Sequence, residues 1–194
     1  MITVVPDKII NEKAQRIFPL IANDDLDRRV VVSEKPDKII SLAPSMTETL
    51  FALGLENKVI GVTEFCDYPP QVQKLVEDGK IEIVGGYSTV DTEKVVGLEP
   101  DLVLTAAGTS KDTINQLEKV GIPVVGVEGE NIMDVLSDIK LVGRITGTLE
   151  TAKELTDNME EKMNSIVEKT NDIPSEEKPK VFYEVGTDPI YTVG

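Results

Sequence analysis

Three aromatic side chains stand in two short segments that otherwise consist of small and polar residues. Phe65 and Tyr68 belong to the segment TEFCDYPP, and Tyr87 belongs to GGYST. The whole chain has four Phe, four Tyr and no Trp, so these two segments hold a large share of its aromatic rings. Aromatic faces beside glycines and small hydroxyl residues suit a large, flat, amphipathic ligand. The alternative is that each ring fills the space beneath its own loop.

The charges near these aromatics limit the kind of ligand. None of the five loops defined below contains Lys or Arg, and the nearest basic residue is Lys111. A strongly anionic ligand needs at least one such partner, so we expect a ligand of little net charge. Glu64, Asp67, Glu128 and Glu130 could instead hold a hard cation together with loop carbonyls. In so acidic a chain, ordinary solvated surface is the stronger interpretation of these four residues.

Composition and motifs exclude several classes of function. The chain has 194 residues and a formal charge of −15, which argues against nucleic acid and anionic lipid as partners. It has no histidine, which removes the Ser-His-Asp and Cys-His nucleophile systems, and its lone Cys66 cannot form an internal disulfide. Neither a phosphate-binding glycine loop nor a G-x-S-x-G motif follows any predicted strand. These absences count against a nucleophilic enzyme and a phosphate-loop nucleotide site, and we expect no catalytic residue, no cofactor and no metal.

One pattern repeats from residue 38 to residue 147: an apolar run, a loop of small residues, and a helix. Strands alternating with helices at this spacing predict an α/β fold with a mainly parallel sheet. Because the crossovers are right-handed, the loops gather at the carboxyl edge of the sheet, where ligands bind in such folds. The predicted strands are Ile39–Leu42, Val59–Val62, Ile81–Val84, Leu102–Leu104 and Pro123–Val127. The loops are Ser41–Ser45, Thr63–Pro70, Gly85–Thr89, Thr105–Ser110 and Val127–Asn131.

Helix starts follow these loops. In KIISLAPSMTETLFALG, Ser45 and Glu48 have the spacing of a capping box, and Gly54 stands where a helix would end. Further starts are indicated by Asp91, by Thr109 or Ser110, and by Asn131. Ser45 and Thr109 would then lie at the same edge as the three aromatics. The candidate ligand-binding residues are accordingly Ser45, Phe65, Tyr68, Tyr87 and Thr109.

The two ends of the chain differ from this repeating region. Towards the amino terminus, Ile2–Val5 has strand composition, Lys8–Phe18 resembles a weak helix, and Leu20–Ala22 and Arg29–Ser33 flank a polar turn, as in a β-hairpin. We divide the chain into an amino-terminal segment with this hairpin (1–37), an α/β ligand-binding lobe (38–147), a long linking helix (148–172), and a linker with one strand (173–194).

The carboxyl-terminal part predicts one long helix and a new strand. Thr148–Thr170 has apolar residues at spacings of three and four, Asn171–Pro179 is polar, and Val181–Val185 has strand composition. Because a strand with no helix after it opens another α/β unit, we expect a truncated second lobe. No apolar run is long enough to cross a bilayer. The amino terminus does not resemble an intact signal peptide, so the protein is cytoplasmic or its leader is absent from this chain.

From about Ala22 onwards the chain resembles the substrate-binding proteins of ABC importers for cobalamin and ferric siderophores. The resemblance rests on KIISLAPSMTETLFALGLENKVIGVTEFCDYPP, VGGYSTVDTEKVVGLEPDLVL, GIPVVGV and the long helix. It implies two α/β lobes joined by that helix, with a small-molecule ligand clamped between them. Cobalamin or another corrinoid is the first expectation, and a ferric siderophore or haem is the next.

The resemblance also implies roles for individual residues. Cobalamin binders of this family place aromatics at the positions of Phe65 and Tyr87, and they dock onto arginines of an ABC permease through a glutamate that matches Glu82. The ordinary interpretation of Glu82 is a surface carboxylate. The native protein would be periplasmic or extracellular and membrane-associated.

Two other hypotheses stay open at this point. A cytoplasmic flavodoxin-like enzyme or regulatory domain would use the same loops for a flavin or nucleotide. A structural role would follow if an apolar surface drove association, for instance as a homodimer that exchanges the strand Val181–Val185.

Overall fold

The amino-terminal part of the described chain is an antiparallel hairpin. The computed structural model describes residues 18–86, 89–106, 108–187 and 190–192. Strands β1 (Leu20–Asn23) and β2 (Arg29–Val32) pair so that Leu20 faces Val32. The hairpin expected from the sequence is therefore confirmed, whereas the predictions for Ile2–Val5 and most of Lys8–Phe18 lie outside the described residues.

A five-stranded parallel sheet follows. Its strands stand in the order β5-β4-β3-β6-β7, and every neighbouring pair is parallel. This order confirms the predicted α/β class, and it brings the carboxyl ends of all five strands to one edge. The strands are β3 (Ile39–Ser41), β4 (Val59–Val62), β5 (Glu82–Ile83), β6 (Leu102–Ala106) and β7 (Val124–Val127).

Helices connect and flank these strands. The predicted caps at three helix starts are confirmed, because the side chains of Asp91, Ser110 and Asn131 each accept backbone N–H groups of the first turn. The helices are α1 (Pro44–Ala52), α2 (Gln71–Glu77), α3 (Thr92–Gly97), α4 (Lys111–Lys119), α5 (Ile132–Thr146) and α6 (Leu149–Thr170), with a 3₁₀ turn at Glu56–Lys58.

The capping box expected at Ser45 is wrong. Helix α1 begins one residue earlier, at Pro44, and its cap residue Ala43 makes no side-chain hydrogen bond. Proline at the first helical position lacks the N–H that a cap would satisfy, and its fixed φ already suits a helix. The loop is held instead by two buried hydroxyls, since Thr47 donates to Ser41 Oγ at 2.8 Å and Ser41 donates to the carbonyl of Ala43 at 2.9 Å. Gly54 does follow the helix with a left-handed φ of 72°, as expected.

The core lies on both faces of the sheet because the central strands are mostly apolar. Every residue of β3 and the first four residues of β6 are buried, which is typical of parallel strands covered by helices on both sides. One cluster joins the sheet to α3 and α4. Its members are Ile40, Leu42, Val84, Val95, Val103, Ile114, Leu117 and Val124.

The hairpin turn covers the free edge of β7. The N–H of Asp25 donates to the carbonyl of Gly126 at 3.2 Å, and the N–H of Gly126 donates to Asp24 Oδ2 at 3.1 Å. Arg28 donates to the carbonyl of Val124 at 3.1 Å. Leu26 lies so close to Gly126 that a Cβ there would stand 2.5 Å from Leu26 Cδ1. Edge strands need such covering because their unpaired backbone groups otherwise recruit other chains.

The chain divides by its contacts into two units, Met1–Thr156 and Asp157–Gly194. In the second unit the predicted strand at Val181–Val185 is displaced. Val181, Phe182 and Tyr183 are exposed and outside any strand, and an antiparallel pair forms from β8 (Glu184–Thr187) and β9 (Ile190–Thr192). A local run of β-formers does not decide where pairing begins, because pairing needs a partner strand. No helix in the described part of the chain is long and apolar enough to cross a bilayer.

Gly143 allows α5 and α6 to approach closely, and this contact generates a prediction. A Cβ at Gly143 would overlap the Cβ of Ala152 and stand 3.2 Å from the carbonyl of Thr148. We expect Gly143→Ala to lower the free energy of unfolding by about 1–3 kcal/mol, as overpacked sites do. Urea denaturation followed by circular dichroism measures this loss.

The matched control is Gly97→Ala in α3, where no heavy atom stands within 4 Å of the new Cβ. It should stabilise the protein by up to about 1 kcal/mol through helix propensity alone. Equal effects of the two substitutions would contradict a packing role for Gly143.

Candidate functional site

The loops after β4 and β5 hold each other at one end of the carboxyl edge. The N–H of Glu64 donates to the carbonyl of Gly85 at 2.9 Å. A Cβ on Gly86 would stand 2.8 Å from Glu64 Oε1 and 3.7 Å from Phe65 Cε2, so glycine permits this close approach. The two segments singled out for their aromatics are therefore neighbours in space.

The rings of Phe65 and Tyr68 point away from the core. Phe65 is 56% exposed and Tyr68 is 60% exposed, so neither ring fills the space beneath its loop. That space is taken by Cys66 and Thr63, which are buried and whose Sγ and Oγ1 atoms lie 3.2 Å apart. The anchored loop thus presents two large aromatic faces at the edge where ligands bind. Tyr87 lies outside the described residues, and its role stays a prediction.

The two hydroxyl candidates lie further along the same edge. Ser45 is exposed in the first turn of α1 and lines a cavity described below. Thr109 is half-buried, and its Oγ1 accepts a hydrogen bond from the buried hydroxyl of Thr105. The Thr109 hydroxyl therefore stabilises the loop after β6 through this hydrogen bond. Its contact with a ligand stays a prediction.

The cavity lies where the chain changes direction along the sheet. From β3 the chain continues to β4 on one side, whereas β6, the other neighbour of β3, continues to β7 on the opposite side. Such a switch point is the usual ligand crevice of an open α/β sheet. Here a cavity of about 470 Å³ opens between α1, α5 and the β7–α5 loop (residues 128–131). Among its lining residues are Ser45, Met46, Thr49, Ala106, Gly129 and Asp138.

A buried carboxyl group forms part of this cavity wall. Asp138 in α5 is only 7% exposed, and it faces Asp25 of the hairpin turn. Burial, the charge and hydrogen bond of Asp25, and the charge of Asp134 raise the pKa of Asp138 to about 7, against the smaller opposite effect of the Gly129 N–H. Asp138 therefore keeps its proton up to near-neutral pH, at the opposite end of the edge from the aromatics.

Sequence reasoning missed Asp138, although one signal was available. Asp138 lies on the face of α5 that also holds Val135, Ile139 and Val142, so an acid interrupts an apolar helical stripe. Its partner Asp25 comes from a distant part of the chain, which spacing alone does not reveal.

The acidic residues weighed as a cation site are not brought together. Glu64 follows β4, whereas Glu128 and Glu130 follow β7, three strands away in the sheet order. Within residues 18–86, 89–106, 108–187 and 190–192, no three Cys, Asp or Glu side chains could hold a metal ion.

Glu82, the candidate docking residue, lies on the edge strand β5. Its carboxylate is half-exposed and pairs with Lys94 Nζ at 2.9 Å. A surface ion pair of this kind contributes little stability, so it leaves the carboxylate free to exchange partners.

Comparison with known proteins identifies the family. The family described as "Periplasmic binding protein" matches residues 39–194, and the chain belongs to it. An uncharacterized ABC transporter substrate-binding lipoprotein, YvrC of Bacillus subtilis, is 38% identical over 183 residues, which cover 92% of this chain and 56% of the relative. A cobalamin-binding protein of Halobacterium salinarum is 31% identical over 179 residues, covering 91% of this chain and 46% of that protein.

A solved structure supports the same fold. The periplasmic vitamin B12 binding protein BtuF of Vibrio cholerae superposes with a TM-score of 0.69 at 25% identity, covering 82% of this chain and 59% of the other. The chain spans about half the length of the curated relatives it matches. Members of this family are binding proteins, and these three relatives are named as an ABC transporter substrate-binding lipoprotein, a cobalamin-binding protein and a vitamin B12 binding protein.

The raised pKa of Asp138 predicts an unusual pH dependence of stability. The folded state keeps the Asp138 proton up to a pKa of about 7, while the unfolded chain releases it near 3.8. The folded state binds more protons in this window, so the contribution of Asp138 to stability falls as pH rises from about 4 to about 7. Asp138→Asn imitates the protonated acid, and we expect it to gain about 3 kcal/mol over the parent protein between pH 4.5 and 8. Urea denaturation at both pH values measures the difference.

The control is Asp37→Asn, because Asp37 is exposed and the hydrogen bond and charge of Lys58 lower its pKa. Its contribution has the opposite sign, being lost as pH falls. A pH-independent difference between the parent protein and Asp138→Asn would contradict the buried proton.

Proposed function

We propose that this chain belongs to an extracytoplasmic substrate-binding protein of an ABC importer, that it binds cobalamin or a related corrinoid, and that it catalyses no reaction. The observation that supports the proposal is the pair of exposed rings, Phe65 and Tyr68, on an anchored loop at the carboxyl edge of the sheet. A corrin is broad, flat and amphipathic, which is the kind of surface that aromatic faces contact well. The matched relatives named for cobalamin and vitamin B12 support the same ligand class.

Charge favours a corrinoid over the second candidates, a ferric siderophore or haem. Both of these commonly present carboxylates or other anionic groups, which call for Arg or Lys in the site. The loops at this edge contain neither residue. The protonated Asp138 also keeps the cavity beside α1 less negative than its composition suggests. A ligand with amide and hydroxyl groups and little net charge fits these conditions.

Ligand binding is proposed to combine ring stacking with hydrogen bonds from the loops. Phe65 and Tyr68 would contact the flat ligand at the β4 end of the edge, with Tyr87 from the neighbouring loop. Ser45 would donate or accept a hydrogen bond near the switch point, and Thr109 would do so in the next loop. The flavodoxin-like alternative is not supported, since the family and the named relatives are binding proteins of importers.

Phe65→Ala tests the proposed ligand and the proposed site together. Cyanocobalamin titrated into the 194-residue chain should bind, and Phe65→Ala should weaken the association constant about 10-fold, since losing one buried ring contact costs about 1–2 kcal/mol. Isothermal titration calorimetry measures both constants.

Val120→Ala is the matched control for this titration. Val120 is 58% exposed but follows α4 and precedes β7, so it lies at the amino edge of the sheet. Equal weakening by the two substitutions would argue against the aromatic loop as the site. Absence of cyanocobalamin binding together with binding of a ferric siderophore would overturn the ligand class.

Docking on the permease is proposed to use Glu82. Its carboxylate would exchange its ion pair with Lys94 for one with an arginine of the permease. A guanidinium can bind a carboxylate with two parallel hydrogen bonds, as a bidentate pair. We expect Glu82→Gln to weaken binding to the permease complex in nanodiscs about fivefold, which corresponds to about 1 kcal/mol. Its affinity for cyanocobalamin should stay unchanged.

The control for docking is Glu99→Gln, another exposed carboxylate that pairs with a lysine, Lys38. It lies next to the amino end of β6 and should bind the permease like the parent protein. If both substitutions weaken the complex equally, the effect reflects net charge and not a docking contact. A homodimer, the other partner expected from the sequence, stays a prediction.

A further inference from the structure

We propose that Asp25 and Asp138 form a proton-operated latch, which holds the β7–α5 loop and thereby sets the shape of the cavity between α1 and α5. This inference does not depend on the proposed ligand. It rests on one carboxyl group that joins three separate elements and on the buried acid that faces it.

Asp25 holds the β7–α5 loop from the hairpin side. Its Oδ2 accepts the N–H of Glu128 at 2.8 Å, and its own N–H donates to the carbonyl of Gly126 at 3.2 Å. The side chain of Asp25 also faces Asp138 of α5 in one surface depression, and its charge and hydrogen bonding raise the pKa of Asp138. The hairpin turn, the end of β7 and helix α5 therefore meet at this carboxyl group.

Asp138 holds the same loop from the helix side. Gly129 faces its carboxyl group so closely that a Cβ there would stand only 2.9 Å from Asp138 Oδ2, and its N–H lowers the pKa of Asp138. Glycine is thus needed for the loop to pass over the buried acid. The loop thus meets Asp25 at Glu128 and Asp138 at Gly129, and Glu128–Glu130 also lines the cavity.

The charged groups around the pair are mostly acidic. Asp24 and Asp27 of the turn, Glu128 and Glu130 of the loop, and Asp134 of α5 line the same surface depression as the pair. On the other side of Asp25, Lys111 at the start of α4 lines a separate depression with Asp25 and Glu128, and Asp138 does not line it. The guanidinium of Arg28 is engaged elsewhere, by Asp24, Glu118 and the carbonyl of Val124. From α1 the cavity is faced by Ser45, Met46 and Thr49, none of which titrates near neutral pH.

Two adjacent carboxylates in such surroundings repel each other, so the acid–carboxylate form is favoured. Near and below neutral pH one shared proton joins Asp25 to Asp138 and the loop stays fixed. Loss of that proton adds a second negative charge, and the two carboxyl groups repel each other. Glu128 is bound to Asp25 and Gly129 faces Asp138, so this separation pulls the loop in two directions. The cavity wall formed by the loop then loosens. An external rise in pH would be transmitted to the ligand-facing edge in this way.

Nuclear magnetic resonance of the ¹⁵N-labelled chain tests the latch without any ligand. We expect the amide shifts of Glu128 and Gly129 to titrate together with one midpoint near 7. The heteronuclear NOE of Gly129 and Glu130 should fall above that midpoint, because the loop becomes mobile. The amide of Lys94 is the internal control: it hydrogen-bonds the exposed Asp91 carboxylate at 2.9 Å and should not titrate near neutral pH.

Three variants separate the latch from ordinary titration. Asp138→Asn should abolish the neutral titration of Glu128 and keep the loop rigid at high pH. Asp25→Asn should lower the midpoint, because the burial of Asp138 remains, and should leave the heteronuclear NOE of Gly129 independent of pH. Asp134→Asn removes a neighbouring charge only, so it should keep the titration and lower its midpoint. Shifts of Glu128 and Gly129 that stay flat from pH 5 to 9 in the parent protein would overturn the proposal. A titration that leaves the heteronuclear NOE unchanged would do so too.

Discussion

The carboxylate of Asp24 is the group on which the arrangement of the ligand-facing edge depends. Its side chain is fully buried, and it accepts the N–H groups of Leu26 at 3.2 Å, Arg28 at 3.0 Å and Gly126 at 3.1 Å, as well as the Arg28 guanidinium. A buried carboxylate is tolerated only when charge pairing and hydrogen bonds replace its hydration. Here the same bonds that satisfy the charge close the turn between β1 and β2 and attach it to β7.

This attachment gives the two ends of the edge different chemistry. At the β7 end the fixed turn places Asp25 against Glu128 and Asp138. The loop and cavity there are lined by acidic residues, and Asp138 keeps its proton up to near-neutral pH. At the β5 end no hairpin is involved, and the loops after β4 and β5 hold each other through Glu64 and Gly85. The anchored thiol of Cys66 leaves the aromatic rings of that end exposed. The hairpin therefore positions the β7 end of this edge through its turn, although β1 and β2 are not strands of the parallel sheet.

The sequence predicted the features that depend on local patterns. Contiguous apolar runs located all five parallel strands, and Asp91, Ser110 and Asn131 marked helix starts that their side chains do cap. The capping box predicted at Ser45 is not formed, because the helix begins at Pro44, which has no N–H that a cap would have to satisfy. The prediction failed in part at Val181, because strand formation needs a pairing partner as well as suitable residues. It could not find the Asp25–Asp138 pair, because the contact depends on how the hairpin docks on the sheet. The position of Phe65 and Tyr68 at this edge was therefore predictable from the sequence, and the carboxyl pair at the other end was not.

Retaining a proton at Asp138 makes an acidic edge compatible with a ligand of little net charge. If both members of the pair were ionised, the cavity between α1 and α5 would hold an uncompensated charge, which repels anions and costs solvation when a ligand displaces water. With the proton held between Asp25 and Asp138, the wall carries one negative charge fewer, and the hydroxyls of Ser45 and Thr49 remain as neutral polar partners. Amide and hydroxyl groups of a ligand can pair with such a wall without introducing a counter-ion. The aromatic end supplies contact area and the protonated end supplies neutral polar partners, a combination that suits a broad, amphipathic molecule at this edge.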